Sequence, residues 1–154
     1  MPRTRRESDV TPQDHRQLPV FVYGTLRPGQ CNHDLFLRGR TTAVRPARLH
    51  GAVLYEGPGY PYAVADPAGD VLGEIITLAP ADYRHVLAAL DVLENHMPGD
   101  PASLYDRVER EVRLTGSGEA VRAWVYLAAD RVARRLRASG TTVPGGSWPG
   151  PRLT

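Results

Sequence analysis

Lysine is absent from this 154-residue chain: all 19 of its lysine-plus-arginine positions are arginine. That absence excludes Schiff-base chemistry, attachment of pyridoxal phosphate, the phosphate-binding lysine of a P-loop and serine–lysine catalysis. Cysteine occurs once, at Cys31. An intramolecular disulfide and any Cys-x-x-Cys redox or zinc motif are therefore ruled out, and the chain fits a reducing, cytoplasmic setting. No apolar run approaches the ~20 residues of a membrane span. The charged start, Met1 to Asp9, is not followed by the apolar segment of a secretion signal. Net charge is also small, +2, with basic residues scattered among acidic ones, which argues against an electrostatic nucleic-acid binder, and with no spanning run no membrane partner is expected. The densest basic cluster, Arg131, Arg134, Arg135 and Arg137, reads as the solvated face of a helix, the alternative being a patch for an acidic partner.

Further chemistry is missing. The five histidines, His15, His33, His50, His85 and His96, include no i, i+4 pair that would hold a metal on a helix, and no Gly-x-Ser-x-Gly marks a serine hydrolase. Cys31 has no evident activating partner and reads as a small packed residue, a nucleophile being the alternative. No metal or cofactor is expected.

What is present suits one domain. Residues 1–17 are polar and without periodicity, an arm expected to be disordered or loosely attached. Residues 18–138 form the expected domain, and 139–154 a Gly/Pro-rich tail with Trp148 as its candidate anchor. Strand chemistry appears at Pro19 to Tyr23, at Ala43 to Tyr55 with Pro46 and Gly51 as bulge or edge positions, at Ala63 to Ala65, and at Val71 to Leu78 with Gly73 marking a close backbone approach. Asp66 to Asp70 reads as a turn between the last two. Tyr105 to Leu114 and Ala120 to Ala128 read as an antiparallel hairpin. Pro80 to His96 predicts the one long helix, with Tyr83, Val86, Leu87, Leu90 and Leu93 forming its apolar stripe. A short helix is expected over His33 to Arg38, capped by Asn32 and closed by Gly39, and another over Asp130 to Ala138. Such a pattern points to a mixed barrel or strongly curved sheet carrying one long helix and one or two short ones, an α+β fold.

Two stretches carry candidate chemistry. Val20 to Gly29 reads as strand, glycine loop, helix. The loop from Gly24 presents backbone N–H groups without side-chain cover, a concavity suited to a carboxylate or phosphate, unless it is an ordinary strand-to-helix turn. The second is Glu94. At ~100° per residue it falls on the apolar face of the long helix, between Leu87 and Leu93. Desolvation and the negative end of the helix dipole both push its pKa up, which suits proton transfer near neutral pH. Fraying that exposes Glu94, or pairing with an arginine, is the structural alternative. Asp91 lies near the edge of the stripe and has an easy structural explanation.

Taken in order, Tyr23-Gly24-Thr25-Leu26-Arg27 with Gly29 and Asn32-His33, then Tyr60-Pro61, Leu90-Asp91-x-x-Glu94, Leu104-Tyr105-x-Arg107 and Trp124-Val125-Tyr126 resemble the gamma-glutamylcyclotransferase-like (AIG2-like) superfamily. The resemblance covers about Val20 to Tyr126. It implies a small mixed β-barrel with flanking helices and a cofactor-free enzyme that acts on a small gamma-glutamyl compound. It also implies that the Tyr23, Gly24, Thr25, Leu26 loop holds the alpha-carboxylate and alpha-amine of a gamma-glutamyl group, that Glu94 is the general acid/base, and that Tyr105 or Tyr126 positions the substrate. The implied reaction is attack of the alpha-amine on the gamma-carbonyl, giving 5-oxoproline and a free amine. A binding module of the same fold, or an amide-processing enzyme of another class, is the rival expectation. Where the family usually has glycine after this glutamate, the chain has Asn95-His96.

Overall fold

The computed structural model describes residues 17–94 and 103–149. Five strands, β1 (Val20–Val22), β2 (Thr41–Tyr55), β3 (Tyr62–Leu78), β4 (Tyr105–Leu114) and β5 (Ala120–Ala128), close into a barrel in the order β1-β3-β2-β4-β5. Neighbours are antiparallel except where β5 closes on β1, at Val20 opposite Trp124, and on β3, at Ala63 opposite Leu127; these two contacts are parallel. Three helices flank it: α1 (Cys31–Phe36), α2 (Tyr83–Leu93) and α3 (Asp130–Ser139). The protein thus has the expected α+β architecture of a mixed barrel with flanking helices.

Strand alternation divides the apolar residues into two clusters. Phe21 of β1 and Tyr23 just after it join strand residues such as Leu49, Ile75, Val112 and Val125 in the barrel interior, and Trp148, 6% exposed, packs into the same cluster. Val20 and Val22 point the other way, into a cluster that contains Val86 and Leu90 of α2 and Val132 and Leu136 of α3. The long helix α2 covers the sheet with Tyr83, Val86 and Leu90 of the stripe its sequence predicts, and α3 with Val132, Ala133 and Leu136, whereas α1 buries no residue. The arginines of α3 are exposed, on its outer face. No helix among the described residues is long and apolar enough to cross a membrane.

Several local expectations change. The predicted break at Asp66 to Asp70 is part of one long strand, β3. The local turn chemistry is real, since the Ala68 N–H donates to Asp66 Oδ1 at 3.0 Å, but the ladder absorbs it. The register jumps from His50 opposite Asp70 to Ala52 opposite Ala65, leaving residues 66–69 facing Gly51, whose φ is +92°. Pairing with β2 on both sides of the irregularity keeps the strand whole. The predicted long helix is a 3-10 turn, Pro80–Asp82, followed by 11 residues of α2 that end at Leu93; residues 95–102, with Asn95 and His96, lie outside the described residues, as do residues 1–16. Asn32 is not a cap: α1 starts at Cys31 after Gln30, and Asn32 turns back to the glycine loop instead. Cys31 is exposed, not packed.

Gly73 is a close-approach position. A Cβ there would sit 2.1 Å from the Val22 carbonyl oxygen, so β1 can lie against β3 only if residue 73 has no side chain. Gly73→Ala should destabilise the fold by ~1 to 3 kcal/mol in urea titration, because β1 must move outward. Gly116→Ala, where a Cβ meets nothing within 4 Å, should stay within about 0.5 kcal/mol of the parent. Equal midpoints for the two variants would show that the approach is not tight.

Candidate active site

The glycine loop starts where β1 ends. Tyr23 is buried, and its hydroxyl donates to the Tyr126 carbonyl and accepts the Ala63 N–H at 3.4 Å. The loop is thereby anchored to β5 and β3 at once, and burial holds the Tyr23 phenol protonated by raising its pKa. Gly24 must be glycine, since a Cβ would lie 2.8 Å from Pro61 Cδ. The carbonyls that follow are all turned into the fold. Gly24 O accepts from the Arg27 N–H at 3.0 Å, Thr25 O from the Asn32 N–H at 3.0 Å, and Arg27 O from the Gln30 N–H at 2.9 Å. Leu26 O lies 2.9 Å from His33 Nδ1, a bond that requires the proton on that nitrogen. Asn32 Nδ2 also donates to Thr25 Oγ1 at 2.9 Å. With the carbonyls engaged inward, the backbone N–H groups of Gly24, Thr25 and Leu26 have no hydrogen-bond partner among the described residues.

Neither nearby arginine supplies an open charge to the loop. Arg27 forms a two-pronged ion pair with Glu74 of β3, both contacts 2.9 Å, and donates to Ser147 Oγ and the Trp148 carbonyl. Arg107 of β4 pairs with Asp91 of α2 through Nε at 2.8 Å and Nη2 at 3.2 Å, and its guanidinium lies 4.5 Å from the centre of the Trp124 ring.

A narrow cleft opens beside the loop. It brings together Tyr23, Gly24, Thr25, Leu26, Glu94, Tyr105 and Tyr126, the residues named from the sequence, and adds Phe21, Val22, Tyr60 and Pro61. The Tyr105 hydroxyl donates to the Pro61 carbonyl at 2.8 Å, holding the loop before β3, while its ring stacks on Tyr62. The Tyr126 hydroxyl donates to Asp91 Oδ1 at 2.6 Å. Glu94 caps α2, its N–H on the Leu90 carbonyl at 2.9 Å. Its carboxyl makes no hydrogen bond or ion pair among the described residues. Although the residue as a whole is only partly buried, desolvation of the carboxyl raises its pKa to about 7. A second compartment continues past Glu94, bounded by Thr25, Asn32, Tyr60, Leu93, Leu104 and Tyr105.

Sequence reasoning missed Pro61 as a wall and the Asp91–Arg107–Tyr126 contact. Tyr60-Pro61 sits in a run of turn residues whose folding back over Gly24 no local rule supplies. Asp91 lies one helical turn before Glu94, and that spacing was the available signal. Among the described residues, no three His, Cys, Asp or Glu side chains are grouped to hold a metal ion.

Known proteins share this arrangement of chain. The family model described as gamma-glutamyl cyclotransferase, AIG2-like, matches residues 20–150. The gamma-L-glutamyl-butirosin B gamma-glutamyl cyclotransferase of Niallia circulans is 32% identical over 118 residues, which are 76% of this chain and 72% of that one. An AIG2-like protein from Mus musculus has a similar structure, with a TM-score of 0.61 at 26% identity over 89% of this chain and 97% of that chain. A protein from Arabidopsis thaliana, solved in solution, gives a TM-score of 0.58 at 30% identity over 85% and 68% of the two chains. Since the matched span runs from the first residue of β1 past Trp148, taking in the whole barrel and every wall of the cleft, the chain belongs to the gamma-glutamyl cyclotransferase, AIG2-like family of enzymes.

Proposed function

We propose that this enzyme cleaves a gamma-glutamyl amide of a small-molecule amine by intramolecular aminolysis, with Glu94 as the general acid/base. The observation that carries the reading is a carboxyl with no partner among the described residues and a pKa near 7, in a cleft whose other side is a row of backbone N–H groups likewise unpaired among them. The substrate head group has the complementary polarity, with a carboxylate for the Gly24, Thr25 and Leu26 amides and an ammonium for Glu94. The Niallia circulans relative, by its name, acts on a gamma-glutamyl compound of this kind.

The chemistry balances without water or cofactor. Glu94 takes a proton from the alpha-ammonium, and the freed amine attacks the gamma-carbonyl carbon four bonds away along the same molecule. The new C–N bond closes the 5-oxoproline ring, the proton on Glu94 passes to the departing nitrogen as the old amide C–N bond breaks, and the second proton, shed by the ring nitrogen as it becomes the lactam N–H, reaches the same amine by way of Glu94, so that it leaves as an ammonium. Holding both ends of the glutamyl group converts a floppy chain into one with amine and carbonyl in contact, the entropic part of the rate gain. A pKa near neutrality lets one carboxyl both accept and return the proton. The second compartment lies beyond Glu94, where the departing amine would be held.

Three outcomes are expected. Mass spectrometry of a panel of gamma-glutamyl amides incubated with the protein should show 5-oxoproline from at least one. Glu94→Gln should reduce that turnover by about 100-fold to 10,000-fold, and 5-oxoproline from no member would remove the proposal.

The second outcome is a pH signature. The carboxyl binds its proton more tightly in the folded protein, at about 7, than in the unfolded chain, near 4.5. Below pH 4.5 both states are protonated and nothing is lost. Between 4.5 and 7 only the unfolded chain ionises, so this group's contribution to stability falls as pH rises and is level above 7. Glu94→Gln is free of the penalty. Its stability relative to the parent should climb across that window to about 3 kcal/mol at pH 8, and kcat/KM of the parent should show an acid limb near pH 7. A pH-independent difference between the two proteins would mean the carboxyl is solvated.

Third, acetate or citrate soaked into crystals should settle on the Gly24 to Leu26 amides. Anions bound only at Arg27 or Arg107 would show that the loop is not a carboxylate cradle.

A further inference from the structure

The Tyr126 hydroxyl has one proton to give, and it goes to Asp91. The bond to Asp91 Oδ1 is 2.6 Å, and Asp91, already paired through both carboxylate oxygens with Arg107, can only accept. Tyr126 is 3% exposed and lines the cleft. Burial first, and the bond to Asp91 next, raise its pKa far above the ordinary phenol value, with the charge on Glu94 adding to the effect. The hydroxyl therefore keeps its proton at every working pH, and Tyr126 shares the cleft with Glu94. What remains for the cleft is the oxygen's lone pairs.

We infer that Asp91 is a positioning residue that fixes Tyr126 Oη as a pure hydrogen-bond acceptor, so that Tyr126 and Glu94 together select an ammonium group over a neutral or acceptor group at that end of the cleft. The inference rests on the gamma-glutamyl reading of the site and adds how its amine end is recognised. A phenol free to rotate would offer its proton as readily as its lone pairs, and would accommodate a ligand lacking the ammonium. Locked by Asp91, it cannot. Arg107 serves the same end by holding Asp91 with two bonds, and it is itself backed by the Trp124 ring. Because Asp91 lies on the same helix as Glu94, three residues earlier, the one contact also sets where the last turn of α2 meets β5.

The test compares two ligands that differ only in the group at issue, L-glutamine and glutaramate, its counterpart without the amino group, titrated calorimetrically into the full chain. The parent should prefer L-glutamine. Tyr126→Phe should reduce that preference roughly 10-fold to 100-fold, the worth of one hydrogen bond to a charged group, while leaving glutaramate affinity within about twofold. Asp91→Ala should weaken L-glutamine binding in the Tyr126 background and have little further effect in the Tyr126→Phe background, since it acts through that hydroxyl. Equal losses in both backgrounds, or equal losses for both ligands, would make Asp91 merely structural and overturn the inference. Should Asp91→Ala fail to fold, Tyr126→Phe alone decides: an unchanged ligand preference overturns it. If the parent turns over no gamma-glutamyl compound yet shows the Tyr126-dependent preference, the catalytic proposal fails and this inference stands. Turnover with a preference indifferent to Tyr126→Phe gives the opposite result.

Discussion

A carboxyl group withdrawn from water and given no partner is unfavourable, and the cleft is built around that constraint. Glu94 ends α2, the helix whose apolar stripe of Tyr83, Val86 and Leu90 is buried against the barrel. The packing of three apolar residues therefore decides where one polar residue goes. The same face that stabilises the helix carries Glu94 into the cleft, and the gain from the stripe offsets the penalty at its end. No described residue neutralises the carboxyl there, because Arg27 and Arg107 already hold acids of their own, Glu74 and Asp91. This division of charge leaves Glu94 titratable near neutrality while the structural pairs stay fixed.

Barrel closure supplies the opposite wall. β1 has only three residues, too few to hold itself, and it is trapped between β3 on one side and β5 on the other. Gly73 allows the approach, and the Tyr23 hydroxyl secures the strand's end from both neighbours. The loop leaving so constrained a strand has little freedom. The carbonyls of Gly24, Thr25, Leu26 and Arg27 find donors in α1 or in the loop's own turns, which leaves the N–H groups of Gly24, Thr25 and Leu26 without a described partner.

Much of this was legible in the sequence, and what failed failed for one reason. The hairpin of β4 and β5 follows from alternation alone, the place of Glu94 from helical periodicity, and the tight approach at Gly73 from a glycine inside a strand pattern. Each of these rests on residues near one another in the chain. The continuity of β3 through Asp66 and Pro67 does not, because pairing with β2 on either side of the excursion overrides a local turn signal. Asn32 has the chemistry of a cap, yet Thr25, seven residues earlier, takes its side chain. The Asp91–Arg107–Tyr126 contact joins three elements separated by up to 35 residues, and no window of sequence contains it. The resemblance to the family compensated in part, since its motif includes Asp91 and Arg107 without saying what they do for each other.

The engagement of Arg27 and Arg107 with Glu74 and Asp91 has a consequence for what can approach. Stripped of uncommitted cations, the cleft presents a dipole and not a net positive field: amide N–H groups at one end, a carboxylate at the other. Long-range attraction of this kind falls off much faster with distance than that of a charge. The cleft therefore attracts a dilute anion only weakly from afar, and discriminates at contact. A molecule carrying both charges on adjacent atoms satisfies both ends at once, whereas a simple anion leaves one end repelled. On the proposed reading, selectivity for a zwitterion is thus set by what the arginines are doing elsewhere.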